Sequence, residues 1–301
     1  MSILADTETR VLVQGITGRE AATFTSESIR YGTRIVAGVT PGKGGQQVHG
    51  VPVFDSVAAA VREQPCTATI ISVPPPFVRD AAWEALENGL QLLVIVTERI
   101  PRSDVVAIVE RARAQDARVV GPNSLGVISP NRARIGMCGG AVEAIRQAYT
   151  GGPVGVMSRS GGMMTEIANL LTQAGLGQST CVSIGGDPIV GSTFLDLLPL
   201  YEADSETKAL VLFCEPGGSM EELLAEHLEA HGSRLGLVAF VAGRFTDRNQ
   251  GVRFGHAGAV VDGTRGSPAG KMATLRAGGV LVADKLSQIP QLVRQVLAGE
   301  N

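Results

Sequence analysis

The chain has 301 residues, 44% of them hydrophobic, and a formal net charge of −3. That length accommodates two domains of ordinary size, each able to bury its own core. The slightly acidic balance excludes a basic field for nucleic acid or an anionic membrane, so an anionic ligand has to be held by local loops and the partners reduce to small molecules and proteins.

No apolar stretch reaches membrane-spanning length, and Met1-Ser2-Ile3-Leu4-Ala5-Asp6 lacks a basic region followed by an apolar core. A cytoplasmic or matrix-like location is expected. Cys66, Cys138, Cys181 and Cys214 form no CxxC pair and read as core residues in a reducing compartment. His227 and His231 stand i,i+4 on a predicted helix but have no partner ligands at metal spacing, so a solvated helix end is expected and no metal site.

β-Rich runs alternate with helical patterns from end to end, the order of parallel sheets covered by helices. The first half predicts strands at 10–14, 34–39, 69–73, 92–96 and 118–120, with helices near 21–31, 57–63, 79–87 and 103–115. Residues 129–153 have no clean period and carry several glycines, which places a linker over 131–153 between domains at 1–130 and 154–301. The second half predicts strands at 154–157, 181–184, 209–213, 237–241 and 280–282, with helices near 163–174, 192–202, 220–229, 270–277 and 289–297. The fold class is α/β, two doubly wound domains in series.

Open α/β sheets bind ligands beyond the carboxyl ends of their strands, and the glycine-rich loops of this chain fall there. After the first strand, Gln14-Gly15-Ile16-Thr17-Gly18-Arg19-Glu20 leads into a helix whose free N–H groups suit a phosphate, with Thr17 and Gly18 making the close approach. The GxGxxG fingerprint is missing, and Gly38-Val39-Thr40 stands where a dinucleotide site wants an acid, which disfavours NAD. Pro41-Gly42-Lys43-Gly44-Gly45 offers Lys43 either as a point charge for a phosphate or as the solvated lysine of a surface turn. Prolines near Val73 and Thr97 either wall a ligand or simply end strands.

His256 sits in Phe254-Gly255-His256-Ala257-Gly258-Ala259, where small neighbours leave an imidazole accessible at close quarters. Such a ring accepts and releases a phosphoryl group near neutral pH, although a lone histidine in a Gly/Ala loop also serves as an ordinary turn residue.

Several loops together carry a resemblance over nearly the whole chain. They are Val39-Thr40-Pro41-Gly42-Lys43-Gly44-Gly45, Gly121-Pro122-Asn123, Ser158-Arg159-Ser160-Gly161, Gly177-Gln178-Ser179-Thr180-Cys181-Val182, Ile184-Gly185-Gly186-Asp187-Pro188 and Gly255-His256-Ala257-Gly258-Ala259. In that order they resemble the alpha subunit of succinyl-CoA synthetase, in a group with malate–CoA ligases and part of ATP citrate lyase.

The resemblance implies a Rossmann-like CoA-binding domain followed by a flavodoxin-like ligase domain. It implies CoA contacts from Thr17, Gly18, Arg19, Glu20 and Lys43, helped by Val73, Thr97, Glu98, Arg99 and Asn123. It further implies that His256 is a phosphohistidine oriented by Glu215, and that Ser158, Ser160, Gly161, Gly162 and Thr165 face the phosphoryl group and the acid. ATP or GTP with Mg²⁺ belongs, by the same resemblance, to a separate β subunit of ATP-grasp fold in an αβ or α₂β₂ assembly.

The chain departs from that pattern at Ala21, Arg99, Ser124-Leu125 and Pro216, and most of all after Ser160-Gly161. The succinate enzymes place a tyrosine where this chain has Thr165, and Gly162-Met163 instead resembles the citrate-cleaving relatives. Loss of a phenol changes both the volume and the hydrogen bonds offered to an acid. The expected substrate is therefore a small acid with a second anionic or hydroxylated end: a hydroxydicarboxylate, a tricarboxylate or a sulfonated acid. A catalytically silent CoA-binding regulatory subunit is the rival, and retention of both His256 and Glu215 counts against it.

Overall fold

The computed structural model describes residues 2–244, 256 and 266–299. The first sheet contains β1 (Arg10–Gln14), β2 (Arg34–Val39), β3 (Gln47–Val48), β4 (Val51–Phe54), β5 (Ala68–Ile71), β6 (Leu92–Ile95) and β7 (Arg118–Val120) in the order β3-β4-β2-β1-β5-β6-β7. All pairs are parallel except β3 with β4. Its helices are α1 (Arg19–Tyr31), α2 (Val57–Glu63), α3 (Val78–Glu87) and α4 (Arg102–Ala114). β5 and β6 are buried along their whole length, which is why they read as continuous apolar runs rather than alternating ones.

The second sheet contains β8 (Gly126–Ser129), β9 (Ala133–Gly136), β10 (Gly151–Ser158), β11 (Gln178–Ser183), β12 (Ala209–Cys214), β13 (Gly236–Val241) and β14 (Leu281–Ala283). Their order is β14-β13-β12-β10-β11-β8-β9. α5 (Val142–Ala148), α6 (Gly161–Gln173), α7 (Phe194–Ala203), α8 (Met220–His231), α9 (Pro268–Ala277) and α10 (Ile289–Ala298) cover it. Thr193 and Asp196 form a reciprocal capping box that starts α7, satisfying N–H groups that have no partner within the helix.

Residues 131–153, expected as a linker, carry β9, α5 and the start of β10. β8 and β9 join the second sheet as an antiparallel pair against β11, ahead of the expected domain start at 154. Both strands are fully buried, so they show no alternation to read, and their partner lies about fifty residues away in sequence, beyond any local pattern. β3 and β4 went unpredicted for a similar reason, being short and interrupted by Pro52.

The two sheets are stitched at their carboxyl ends. Gly121 N–H donates to Ile184 O at 3.1 Å, and Gly186 N–H donates to Asn123 O at 3.2 Å. The β9 backbone is tied to the first domain by the Thr33 hydroxyl, which accepts from Arg134 N and donates to Arg134 O, each at 2.9 Å.

Cys138, Cys181 and Cys214 are buried and Cys66 is half-buried; burial pushes the Cys66 thiol up to about 11 and the Cys138 thiol to about 12. The His227 and His231 rings stack on α8 with Nδ1 of His231 against His227 O at 3.1 Å. Among the described residues no helix is long and apolar enough to cross a membrane.

Candidate active site

Winding of the first sheet reverses between β1 and β5, and such a switch point leaves a crevice at the strand ends. A cavity of about 610 Å³ opens there, lined by Gly15, Thr17, Gly18, Ser72, Val73 and Pro74 among others. Gly15 has φ +81°, and a Cβ on it would stand 2.4 Å from Ser72 O, so only glycine lets the chain turn from β1 into α1 this close to β5. Gly18, the N-cap of α1, lines this crevice, so the helix starts at its edge, while Val39, Pro41, Val73, Pro74 and Phe77 supply apolar walls. Anion-binding backbone beside apolar walls fits a nucleotide-bearing thiol such as CoA.

Lys43 lies on the adjoining loop, which Asp55 holds by accepting from Gly42 N at 2.8 Å and Gly44 N at 2.9 Å. Arg19 and Glu20 open α1 but line a separate cavity of about 390 Å³ with Phe24, Glu27 and Arg134. Arg99 has φ +60° and projects into solvent beside Glu98, its Nε 3.5 Å from that carboxylate. Ala21 is buried in α1.

The second sheet reverses between β10 and β12, so the loops after Ser158 and Cys214 meet across its switch point. His256 lies there, with Nδ1 2.7 Å from Glu215 Oε2. A carboxylate only accepts, so it draws the imidazole proton to Nδ1 and leaves Nε2 with its lone pair. That hydrogen bond is the main reason the His256 pKa rises above its ordinary value; burial and the Arg159 guanidinium oppose the rise, and Asp187 supports it. The ring crosses Gly186 so closely that a Cβ there would stand 2.6 Å from Cγ and Cδ2. Phe254, Gly255 and 257–259 lie outside the described residues.

Ser160 caps α6 by accepting from Met163 N at 3.4 Å, and Ser158 accepts from Ser160 N at 3.1 Å while donating to Ser160 O at 2.5 Å. These bonds hold the Ser158–Arg159–Ser160–Gly161 turn so that its remaining N–H groups lead into the helix start. Gly162 is open on its Cα side.

Thr165, one turn along α6, meets Tyr149 hydroxyl to hydroxyl at 2.9 Å. Tyr149 is buried at the end of α5, and burial is the main reason its phenol pKa lies well above its ordinary value. A tyrosine from a different element thus reaches the position where the sequence departs from its resemblance, and nothing local in the sequence marked it.

Two further residues at this centre escaped the sequence reading. Arg159 is buried, donates from Nη2 to Asp187 O at 3.2 Å, and its Nε has no partner among the described residues. Asp187 accepts from Asn123 Nδ2 at 3.1 Å, and burial pushes its carboxyl above the usual range.

Behind Glu215, the fully buried Lys271 pairs with Glu221 and, at 3.4 Å, with Glu222. Glu222 also accepts from Gly266 N at 2.9 Å, and Gly266 O accepts from Gly217 N at 2.8 Å. Among the described residues no group of three or more His, Cys, Asp or Glu is placed to hold a metal ion.

A coenzyme-sized crevice on one doubly wound sheet, joined at the carboxyl ends to a second sheet bearing an imidazole–carboxylate pair, is the architecture of a CoA ligase. The CoA binding domain family matches residues 6–99 and the CoA-ligase family matches residues 157–281. The chain is 45% identical over 297 residues to succinate–CoA ligase (ADP-forming) subunit alpha 1 of Archaeoglobus fulgidus, covering 99% of each chain. It is 42% identical over 296 residues to the ADP-forming sulfoacetate-CoA ligase subunit SqwL of Acholeplasma sp, covering 98% of each.

Among solved structures, ATP citrate lyase of Methanothrix soehngenii with citrate and coenzyme A superposes with a TM-score of 0.91 at 26% identity; 99% of this chain is covered, and it spans 51% of that one. The chain belongs to the succinate–CoA ligase alpha-subunit family, whose members are acid–CoA ligases.

Proposed function

We propose that His256 carries a phosphoryl group from a partner-bound nucleotide to a small polyanionic acid, and that CoA entering from the first-sheet crevice then takes the acyl group. The observation that supports this best is the 2.7 Å bond between His256 Nδ1 and Glu215, which leaves Nε2 as the nucleophile at the second switch point. Nε2 attacks the terminal phosphorus of the nucleotide, releasing the diphosphate. A carboxylate oxygen of the acid then takes the phosphoryl group, which turns a poor leaving group into phosphate. That transfer frees His256, and the CoA sulfur then attacks the acyl carbon as phosphate departs.

Glu215 steadies the ring throughout. The N–H groups that begin α6, with Ser158, Ser160, Gly161 and Gly162 around them, hold the phosphoryl oxygens. Thr17, Gly18 and Val73 line the CoA crevice, and the family resemblance adds Lys43, Thr97, Glu98, Arg99 and Asn123 on neighbouring loops, with Arg19 and Glu20, which line the separate cavity at the start of α1. Mg²⁺ and ATP or GTP sit on a β subunit of ATP-grasp fold, in an αβ or α₂β₂ enzyme of the cytoplasm.

Thr165 offers a hydroxyl bonded to Tyr149 where the succinate enzymes carry a phenol on α6, and that change in volume and hydrogen bonding supports a hydroxylated, tricarboxylic or sulfonated acid over succinate. The sulfoacetate-CoA ligase relative and the citrate-bound lyase are consistent with that range. The test is acid-labile ³²P incorporation by the αβ complex, expected in the wild type and absent in His256→Asn, followed by turnover on a panel of acids. A clear preference for succinate overturns the substrate assignment, and thioester formation without phosphorylated His256 overturns the relay.

A further inference from the structure

The loop tips that join the sheets are linked by hydrogen bonds from Val73 in the crevice to Asp187 beside Gly186. Thr97 donates its hydroxyl to the carbonyl of Val73, a crevice residue, at 2.8 Å. Asn123 N–H donates to Thr97 O at 3.0 Å, and Asn123 Nδ2 reaches Asp187 Oδ1 at 3.1 Å. Asp187 directly follows Gly186, the residue over which the imidazole lies. A flexible thiol arm that followed these bonded loop tips from Val73 past Thr97 toward the imidazole would pass this carboxyl. Asp187 is 8% exposed, and its Oδ2 makes no hydrogen bond among the described residues.

We infer that Asp187 is the general base that removes the thiol proton when the CoA sulfur attacks the acyl phosphate. The inference rests on the relay proposed above. The S–H proton passes to Asp187 Oδ2 as the C–S bond forms and the bond from acyl carbon to phosphate oxygen breaks. Phosphate leaves with the electron pair, and the carboxyl returns its proton to water.

The charge environment suits the task. Burial pushes the Asp187 pKa up; the Asn123 hydrogen bond lowers it, the Glu98 charge raises it, and His256 and Arg159 lower it. The net rise brings the carboxylate closer to a thiol's ordinary value of about 8.5, and proton transfer gains as that gap narrows.

The experiment compares wild type, Asp187→Asn and Asp187→Glu as complexes with the β subunit, supplied with nucleotide and either succinate or sulfoacetate. His256 phosphorylation is read by ³²P, acyl phosphate by hydroxylamine trapping without CoA, and thioester by its release. Asp187→Asn is expected to hold the first two within about twofold while thioester formation falls about 10²–10³-fold, with Asp187→Glu recovering part of that loss. Thioester formation within about threefold of wild type overturns the assignment, as does a parallel fall of all three signals, which marks a structural support.

A readout independent of turnover uses the alpha chain with CoA alone, titrating the bound thiol by thiolate absorbance. Removing a nearby negative charge favours the thiolate, so Asp187→Asn is expected to lower the bound thiol pKa by about half a unit or more, and an unchanged value overturns the assignment. Wild type that never takes up ³²P overturns the relay instead and leaves the thiol titration to decide Asp187.

Discussion

At its switch point the first sheet opens a cavity of about 610 Å³, whereas the second closes its loops around a single imidazole. Both sheets reverse at a switch point, and the difference lies in what the loops there carry. The first half offers backbone and apolar walls, with its lysine and arginines mostly in solvent. The second gathers Arg159, Asp187, Glu215 and His256 around one point and backs them with the buried Lys271, Glu221 and Glu222. Charge is concentrated where the proposed relay would hold a charged intermediate, and burial makes each of those charges count for more.

If the second region depends on its buried charges, Lys271→Met has the largest effect, because it leaves Glu221 and Glu222 buried without their cation. Denaturant unfolding is expected to show a loss of about 3–5 kcal/mol; a loss below about 1 kcal/mol would remove the cluster from the comparison.

Glu215→Gln comes next, slowing His256 phosphorylation about 10²–10³-fold without changing CoA affinity. It also moves the pH limb. Glu215 raises the His256 pKa by favouring the charged ring, and phosphorylation needs the neutral ring. The rate therefore rises with pH through that elevated value, and the variant's limb lies at lower pH; a limb that stays in place separates Glu215 from the ring's titration.

Gly15→Ala probes the opposite half. Its φ of +81° and the close Ser72 carbonyl make alanine strained by about 1–3 kcal/mol, so calorimetry is expected to show weaker CoA binding while ³²P uptake at His256 stays at the wild-type level. Equal loss of both functions would mean the halves are not separable.

The smallest effect is expected of Tyr149→Phe, which removes one hydroxyl from the 2.9 Å contact with Thr165 and costs about 0.5–1.5 kcal/mol of stability. A shift in acid preference with CoA affinity unchanged would place that hydroxyl at the substrate end of the second region.

The alternation of strands and helices was readable because buried parallel strands and amphipathic helices each write a local period. α2 was placed at 57–63, as observed, and α1 was expected from 21 where it begins at Arg19. The pairing of Glu215 with His256 followed from the resemblance, and the structure puts the two in contact. Tyr149, Arg159, Asp187 and Lys271 were not marked as parts of the site, because each matters through a partner distant in sequence or through a loop from the other sheet.

The α/β class, the positions of the glycine turns at the strand ends and the kinship with CoA ligases are all written in residues close together along the chain. Packing alone sets β8 and β9 into the second sheet, brings Tyr149 to Thr165 and joins Asn123 to Asp187 across the loop tips. Strand partners and buried charges are chosen by packing across long loops, and no local period records that choice.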